Sequence, residues 1–477
     1  MPLNLTLPEV VAVLPLLTVT LTAMLVMLMG ALKPQSTTGA CVLSGLGFAA
    51  AGLMAATEPV GVQSTEIFGG MLKAGNFVDY FVMLFCLAGF LSVLLSHTYV
   101  RSKGLAAGEF YSLLLFSSAG MMLMAAAADL VIFFLGLEVM SVSFYVLAAF
   151  ARSRPTSNEA GLKYFLLGAF ATGFLLYGIA LVYGATGTTA LEGMGIRASA
   201  SPRMPLFVVG LGLVIVGLMF KVAAVPFHMW VPDVYEGSPT PVSGFMSTAG
   251  KAAAFAGFLI VFAPPLTAAA PQLRPVLGII AALSMVAGNV IAIAQSNIKR
   301  MLAYSSIAHA GYILVGIVAG NPAGNYGVLY YLLSYALMNI GAFGVVALLE
   351  SGEREIAIDD CTGLSRRAPA LSALMSIFMF SLTGIPPFAG FFGKYYVFAG
   401  AVQAGYTWLA IVGVLMSAVS AYFYLRLVVV MYFREQPEGI VAQPQPLGMA
   451  ALALSAAGVI GFGVFPSVLL QYAVHCF

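Results

Sequence analysis

The chain has 477 residues, 61% of them hydrophobic and only 8% charged, whereas a soluble domain carries about 25% charged residues. This excludes an ordinary water-soluble domain and points to an all-α polytopic membrane protein, because apolar runs near the ~20 residues needed to cross a bilayer recur from end to end. A net charge of +2 and the lack of any Lys/Arg run exclude a general affinity for nucleic acid.

The first apolar span covers 8–30. No Lys or Arg precedes Lys33, so this segment lacks the basic start of a secretory leader and reads as a retained first helix. Further spans follow at 40–57, 76–97, 109–128, 129–150, 159–184, 205–232, 241–263, 274–295, 299–319, 325–349, 369–399, 406–433 and 447–474, fourteen in all. The boundary between the fourth and fifth falls near Asp129.

Fourteen spans make the loops alternate between two sides. One set holds Lys33, Arg101, Lys103, Arg152, Arg154, Lys299, Arg300, Arg354, Arg366, Arg367 and Arg434; the other holds Lys73, Arg197, Arg203 and Arg274. Basic loops stay in the cytoplasm, so the first set is expected inside and both termini on the outer side.

Two long spans are interrupted. Lys221 precedes Pro226 in 217-GLMFKVAAVPFHMWVPDVYEGSPTPVSG-244, and Pro386 and Pro387 precede Lys394 in 381-SLTGIPPFAGFFGKYY-396. Proline removes a donor and clashes with the preceding turn, so spans seven and twelve should be discontinuous helices. Irregular backbone at membrane depth is tolerated only where protein or water surrounds it. The broken spans are five apart and enter from opposite sides. This arrangement predicts two inverted five-helix repeats, spans four to eight and nine to thirteen. The domain boundaries that follow are 1–108, 109–263, 264–434 and 435–477.

Lys163, Lys221, Lys251, Lys394 and Arg426 fall inside spans, as does Glu138 at the middle of span five. A charge at the bilayer centre costs at least about 2.5 kcal/mol, so several in one chain argue for a polar path through the bundle. If Glu138 and Lys221 pair, each stabilises the other's charge; if they separate, desolvation favours neutral lysine and drives proton release. Lys251 is placed to receive that proton, and Lys394, deep toward the outer face, to pass it on. The opposing reading is that these groups are structural ion pairs, or that Lys251 only bonds broken-helix carbonyls. Lys163 is either a tuning charge or a cytoplasmic anchor. His309, with Ser305, Ser306 and Tyr312 nearby, and His228, after the span-seven break, are either relay groups or satisfied buried histidines. Asp79 and Arg426 read as end-of-helix pairs, Asp233 and Glu236 as caps of the turn into span eight, and His97 and Lys33 as interface residues. Cys41, Cys86, Cys361 and Cys476 show no metal-binding spacing and are expected as free thiols. No nucleotide loop or metal site is read.

The stretches FKVAAVPFHMWVPDVYEGSPTPV, QSNIKRMLAYSSIAHAGY and LTGIPPFAGFFGKYY resemble the antiporter-like membrane subunits of respiratory complex I, which share ancestry with Mrp-type sodium/proton antiporter subunits. The form WVPDVYEGSPTPV, the length and the absence of a long C-terminal extension narrow the resemblance to one branch. It implies fourteen helices with breaks in the seventh and twelfth. It also implies a proton-translocating role for Glu138, Lys221, Lys251 and Lys394, with Lys163 matching the family's lysine in span six. It implies no redox cofactor in this chain, a bacterial plasma-membrane location, and neighbours among the small membrane subunits A, J and K, subunit M and the lateral helix of subunit L. Three alternatives stand beside it: an Mrp-type cation/proton antiporter subunit, a membrane-hydrogenase subunit, and a scaffold whose charges only hold helices together. The lack of a wide carboxylate cluster, which a hard cation would need, weighs against the first of these.

Overall fold

The computed structural model describes residues 6–57, 61, 64–262, 270–350, 356–435 and 445–477. Arg354 and the 263/264 domain boundary fall outside them. The helices are α1 (Leu7–Leu32), α2 (Thr37–Ala56), α3 (Asn76–Ser102), α4 (Ala107–Ala126), α5 (Leu130–Ala148), α6 (Pro155–Thr186), α7 (Met194–Ala200), α8 (Met204–Val222), α9 (Val231–Gly237), α10 (Thr240–Phe245), α11 (Lys251–Val261), α12 (Leu273–Ile293), α13 (Ile298–Ala319), α14 (Pro322–Leu349), α15 (Leu364–Arg367), α16 (Pro369–Thr383), α17 (Ala389–Gln403), α18 (Thr407–Phe433), α19 (Pro446–Val464) and α20 (Pro466–Val474). A short antiparallel hairpin, β1 (Thr65–Ile67) with β2 (Leu72–Ala74), precedes α3.

Thirteen helical segments among the described residues are long and apolar enough to cross a bilayer. The shorter apolar helix α16 continues through a break into α17, which completes fourteen spans and agrees with the sequence reading. This is a multi-pass membrane protein. The break near Asp129 is sharp: its carboxylate caps α5 by accepting from Val131 N at 2.7 Å.

Both predicted interruptions are present, with matching geometry. α8 ends at Ala223 in the left-handed region (φ 62°) and α16 ends at Gly384 (φ 89°). Each is followed three residues later by a proline and then a phenylalanine, Pro226-Phe227 and Pro387-Phe388. Such breaks free backbone groups that lipid cannot satisfy, and side chains take them up. Trp230 Nε1 donates to Phe220 O at 3.0 Å, and Ser284 Oγ accepts from Val225 N at 2.9 Å. At the second break Gly390 N donates to Ser381 Oγ at 3.1 Å. The two segments approach so closely that a Cβ on Gly390 would lie 2.0 Å from Ser381 O.

A third interruption was not foreseen. Between α10 and α11 the backbone forms a π-helical turn, Met246–Gly250, immediately before Lys251. Such turns occur as single bulges inside α-helices and frequently mark functional sites.

The most enclosed spans are the eighth, tenth and eleventh, each 94% buried. The first two are peripheral, at 28% and 44%. The charged residues of the interior therefore lie on or against the central helices.

Candidate functional site

The polar interior is built from matched parts. Asp129 caps α5 and accepts from Thr189 Oγ1 at 2.6 Å, while Leu130 N bonds Thr189 O at 2.9 Å and Leu191 N bonds Ala128 O at 2.9 Å. Asn297 caps α13 in the same way, accepting from Lys299 N at 2.8 Å, while Ile298 N bonds Ile356 O at 3.2 Å and Ile358 N bonds Ser296 O at 2.8 Å. Each cap is thus tied to the segment preceding a broken span. Glu138 stands eight residues after Leu130, as Ser306 does after Ile298. The same count pairs Ser141 with His309.

Glu138 and Lys221 do not meet in a salt bridge. Lys221 Nζ donates to Ser141 Oγ at 2.7 Å and to Tyr145 OH at 3.4 Å. Ser141 spends its own hydrogen on Leu137 O at 2.5 Å, which leaves its oxygen free to accept from the lysine. Glu138 Oε1 is buried with no hydrogen-bond partner among the described residues. The lysine is 5% exposed and also lies 5.5 Å and 5.9 Å from the ring centroids of Tyr145 and Tyr164.

Lys251 is 1% exposed. It donates to Ser306 O at 2.7 Å and to Ser306 Oγ. Its partner is therefore a residue on the continuous helix α13, not the carbonyls of a broken helix. No residue between 221 and 251 advertises that contact, which depends on how α11 packs.

His309 is fully engaged, with Tyr331 OH 2.8 Å from Nδ1 and Tyr424 OH 3.1 Å from Nε2. Tyr424 also bonds Ser305. Tyr331 and Tyr424 belong to the site and were missed by sequence reasoning; no local motif marks them, since they arrive from α14 and α18.

Lys394 folds back onto the break. Its Nζ donates to Leu382 O at 3.0 Å, Thr383 O at 2.8 Å and Ser417 Oγ at 2.8 Å, and lies 4.9 Å from the Tyr312 ring centroid. All three of its donors are spent on α16 and α18. A groove of about 900 Å³ between α17 and α18, with Phe391, Tyr395 and Leu415 in its walls, reaches this lysine.

Other residues fall elsewhere. Lys163 pairs with Glu159 at 2.6 Å and Asp233 at 2.7 Å and is 41% exposed. Asp233 and Glu236 do not cap the turn into span eight. Asp233 also meets Arg300 at 2.9 Å, and Glu236 meets Arg300 and accepts from Asn297 Nδ2 at 2.9 Å. These acids tie the broken span to spans six and ten, because α9 points them across the bundle end. Lys299, counted as a loop residue, is 3% exposed and holds Ser238 O at 2.8 Å and Glu350 at 3.8 Å. Arg426 donates to Gln295 O at 3.4 Å, a carbonyl partner rather than an acid. His228 lies in the span-seven turn with Nδ1 unpartnered among the described residues. His97 meets Thr38 Oγ1 at 3.2 Å. The four cysteines are buried free thiols.

A family model described as NADH:quinone oxidoreductase/Mrp antiporter, TM, matches residues 127–420, the stretch that carries every one of these lysines. The chain belongs to this family. NADH-quinone oxidoreductase subunit N of Trichlorobacter lovleyi is 47% identical over 479 positions, covering 99% of this chain and 96% of that one. Among solved structures, a chain in respiratory complex I from Thermus thermophilus with bound aureothin superposes with a TM-score of 0.83 at 37% identity, over 96% of this chain and 99% of that chain. A chain of the membrane-bound sulfane sulfur reductase, an archaeal respiratory membrane complex, superposes with a TM-score of 0.86 at 25% identity, over 98% and 96% of the two chains. The near full-length match to a subunit N relative agrees with the narrower branch read from the sequence.

Proposed function

We propose that the chain is a proton-translocating membrane-arm subunit of NADH:quinone oxidoreductase, respiratory complex I, and that Glu138, Lys221, Lys251 and Lys394 form its relay. The near full-length likeness to subunit N relatives supports the assignment. The observation that carries the mechanism is a set of buried ionisable groups on packed helices: Lys221 on Ser141, Lys251 on Ser306, His309 between two tyrosines, and Lys394 at the second break. Glu138 and Lys221 are set apart by Ser141, so a small approach or retreat of the carboxylate changes how firmly the lysine holds its proton. Lys251 and His309 are placed to carry that proton across the central helices to Lys394. Lys163 and His228 stand outside this path: the first acts as a tuning charge at the cytoplasmic end, the second as part of the turn.

The redox chemistry belongs to other subunits, and this chain holds no cofactor. Two inverted five-helix repeats, 109–263 and 264–434, with 1–108 and 435–477 flanking them, account for the matched caps and breaks. The chain works in a hetero-oligomer with other membrane subunits, with A, J and K on one side, M on the other and the lateral helix of L alongside. It resides in the bacterial plasma membrane with both termini on the outer side. This orientation places the ion cluster of Lys163, Asp233, Glu236 and Arg300 at the cytoplasmic surface.

Affinity purification of the tagged chain from its own membranes in mild detergent tests the assignment. Inhibitor-sensitive NADH:quinone activity following the tag is the expected result. An eluate with no such activity and only small hydrophobic partners would replace it with an Mrp-type antiporter subunit, and one with hydrogenase activity with the membrane-hydrogenase reading.

A further inference from the structure

The groove between α17 and α18 is one leaflet deep. On α18 its wall runs from Thr407 to Ala421, near the middle of that helix. At ~1.5 Å per residue this is a rise of about 21 Å. On α17 the wall runs from Phe391 and Lys394 to Gln403. A bilayer with its headgroups is about 40–45 Å thick, so the groove covers one half of it. Gln403 and Thr407 are exposed at its interface end. Trp408 is exposed beside them, the position at which aromatic rings mark a membrane surface. In the orientation proposed above, this is the outer surface.

The lining decides what can fill it. Val402, Ile411, Val414 and Leu415 line the groove and are exposed. At the inner end the polar hydrogens are already spent. Lys394 Nζ donates to Leu382 O, Thr383 O and Ser417 Oγ, and Ser417 Oγ donates to Thr383 O at 3.1 Å. A buried water needs about two to four polar partners, and here it meets no free donor on Lys394 or Ser417. An anionic group meets none either. An apolar cavity stays dry and takes apolar guests. A membrane-spanning helix of a neighbouring subunit would lie along both halves of α18, whereas the groove stops at Ala421. A lipid chain of one leaflet has the matching depth. The loop Ala404-Gly405-Tyr406 between the two helices carries no charge, so nothing there selects a headgroup by its charge.

We propose that this groove is a binding site for an acyl chain of an outer-leaflet phospholipid, whose methyl end lies against Lys394 and keeps outer water off it. Gln403 and Thr407 hold the ester region through their amide and hydroxyl, and the chain runs inward between α17 and α18. The site is read through the chain and the ester, not through headgroup charge. The binding site stands on the groove alone; its sealing role rests on the relay reading above. With the chain in place, the path from Lys394 to the outer surface along this face of the bundle is dry.

The test places the assembled complex in phosphatidylethanolamine vesicles containing an analogue with a diazirine at the end of one acyl chain. The complex is then washed in mild detergent and photolysed, and its labelled peptides are read by mass spectrometry. Label on 391–399 and 411–418 is expected to exceed label on the exposed α12 face at Ile279 and Leu283 by about tenfold, the factor that about two more buried methylene groups supply. A phosphatidylglycerol analogue should label the same peptides. Val414→Trp, which fills the groove, should remove the label and leave pumping unchanged. Val414→Gln should remove the label and lower the protons pumped per NADH about twofold or more, because its amide gives water a partner in the groove. Equal labelling of α12 and the groove would overturn the site as unselective lipid contact. A groove peptide cross-linked to another subunit in place of lipid would assign the groove to a protein partner and overturn it too. Label in the groove with unchanged pumping in Val414→Gln would overturn the seal. The relay reading is tested apart from this, by pumping in Glu138→Gln.

Discussion

Lys221 Nζ donates to Ser141 Oγ at 2.7 Å and forms no ion pair with Glu138, whose Oε1 atom has no hydrogen-bond partner among the described residues. Residues 138 and 141 share a face of α5, about 4.5 Å apart along its axis. In the relay proposed above, the serine is the stop that keeps acid and base from pairing. A buried carboxylate and ammonium in direct contact would gain strongly from their attraction and resist separation. Held apart, they leave a coupling that a modest movement can switch.

Ser141→Ala removes that stop. The lysine loses its closest acceptor and is expected to relax toward Glu138, tightening the pair. Coupled quinone reduction should fall about two- to tenfold, on the scale of one buried hydrogen bond to a charged group, with assembly retained. Steady-state rates with quinone and with a water-soluble acceptor, measured on the same membranes, separate this from a loss of complex.

Trp230→Phe keeps an aromatic ring stacked on Tyr164 but gives up the bond from Nε1 to Phe220 O. That carbonyl was freed by the end of α8, and no water from lipid replaces the donor. A stability loss of about 1–3 kcal/mol is expected, read as a lower melting temperature of the purified complex in detergent.

Gly390→Ala should be among the most damaging single methyls in the chain's second half. Its Cβ would sit 2.0 Å from Ser381 O, a backbone atom that cannot swing aside. The two halves of span twelve would be forced apart, and Lys394 with them. Loss of the chain from membranes on immunoblots, or of the assembled complex on native gels, is the expected outcome.

Much of this architecture is written in local patterns. Fourteen apolar runs and two proline breaks foretell the spans and their discontinuities, because length in a bilayer and the missing proline donor act on neighbouring residues alone. The positions of Lys221, Lys251 and Lys394 stand out for the same reason. Contacts between distant segments are not legible in this way. Nothing near Lys221 signals Ser141, 80 residues earlier in the chain. Nothing near His309 signals Tyr424, which arrives from α18. Asp233 and Glu236 read as turn caps because acids are common there, yet packing turns them onto Lys163 and Arg300. The π-helical turn before Lys251 has no proline to announce it.

The central claim is that Glu138 and Lys221 move a proton rather than hold helices together. The measurement that tests it most directly is proton pumping into sealed vesicles by complexes carrying Glu138→Gln or Lys221→Ala, set against their electron transfer and assembly. Relay roles predict assembled complexes in which coupled quinone reduction and pumping fall about tenfold or more, as for loss of a positioned proton-transfer group. Fully assembled complexes that pump at the parent rate and stoichiometry in both variants would contradict it, and would leave these residues as structural charges.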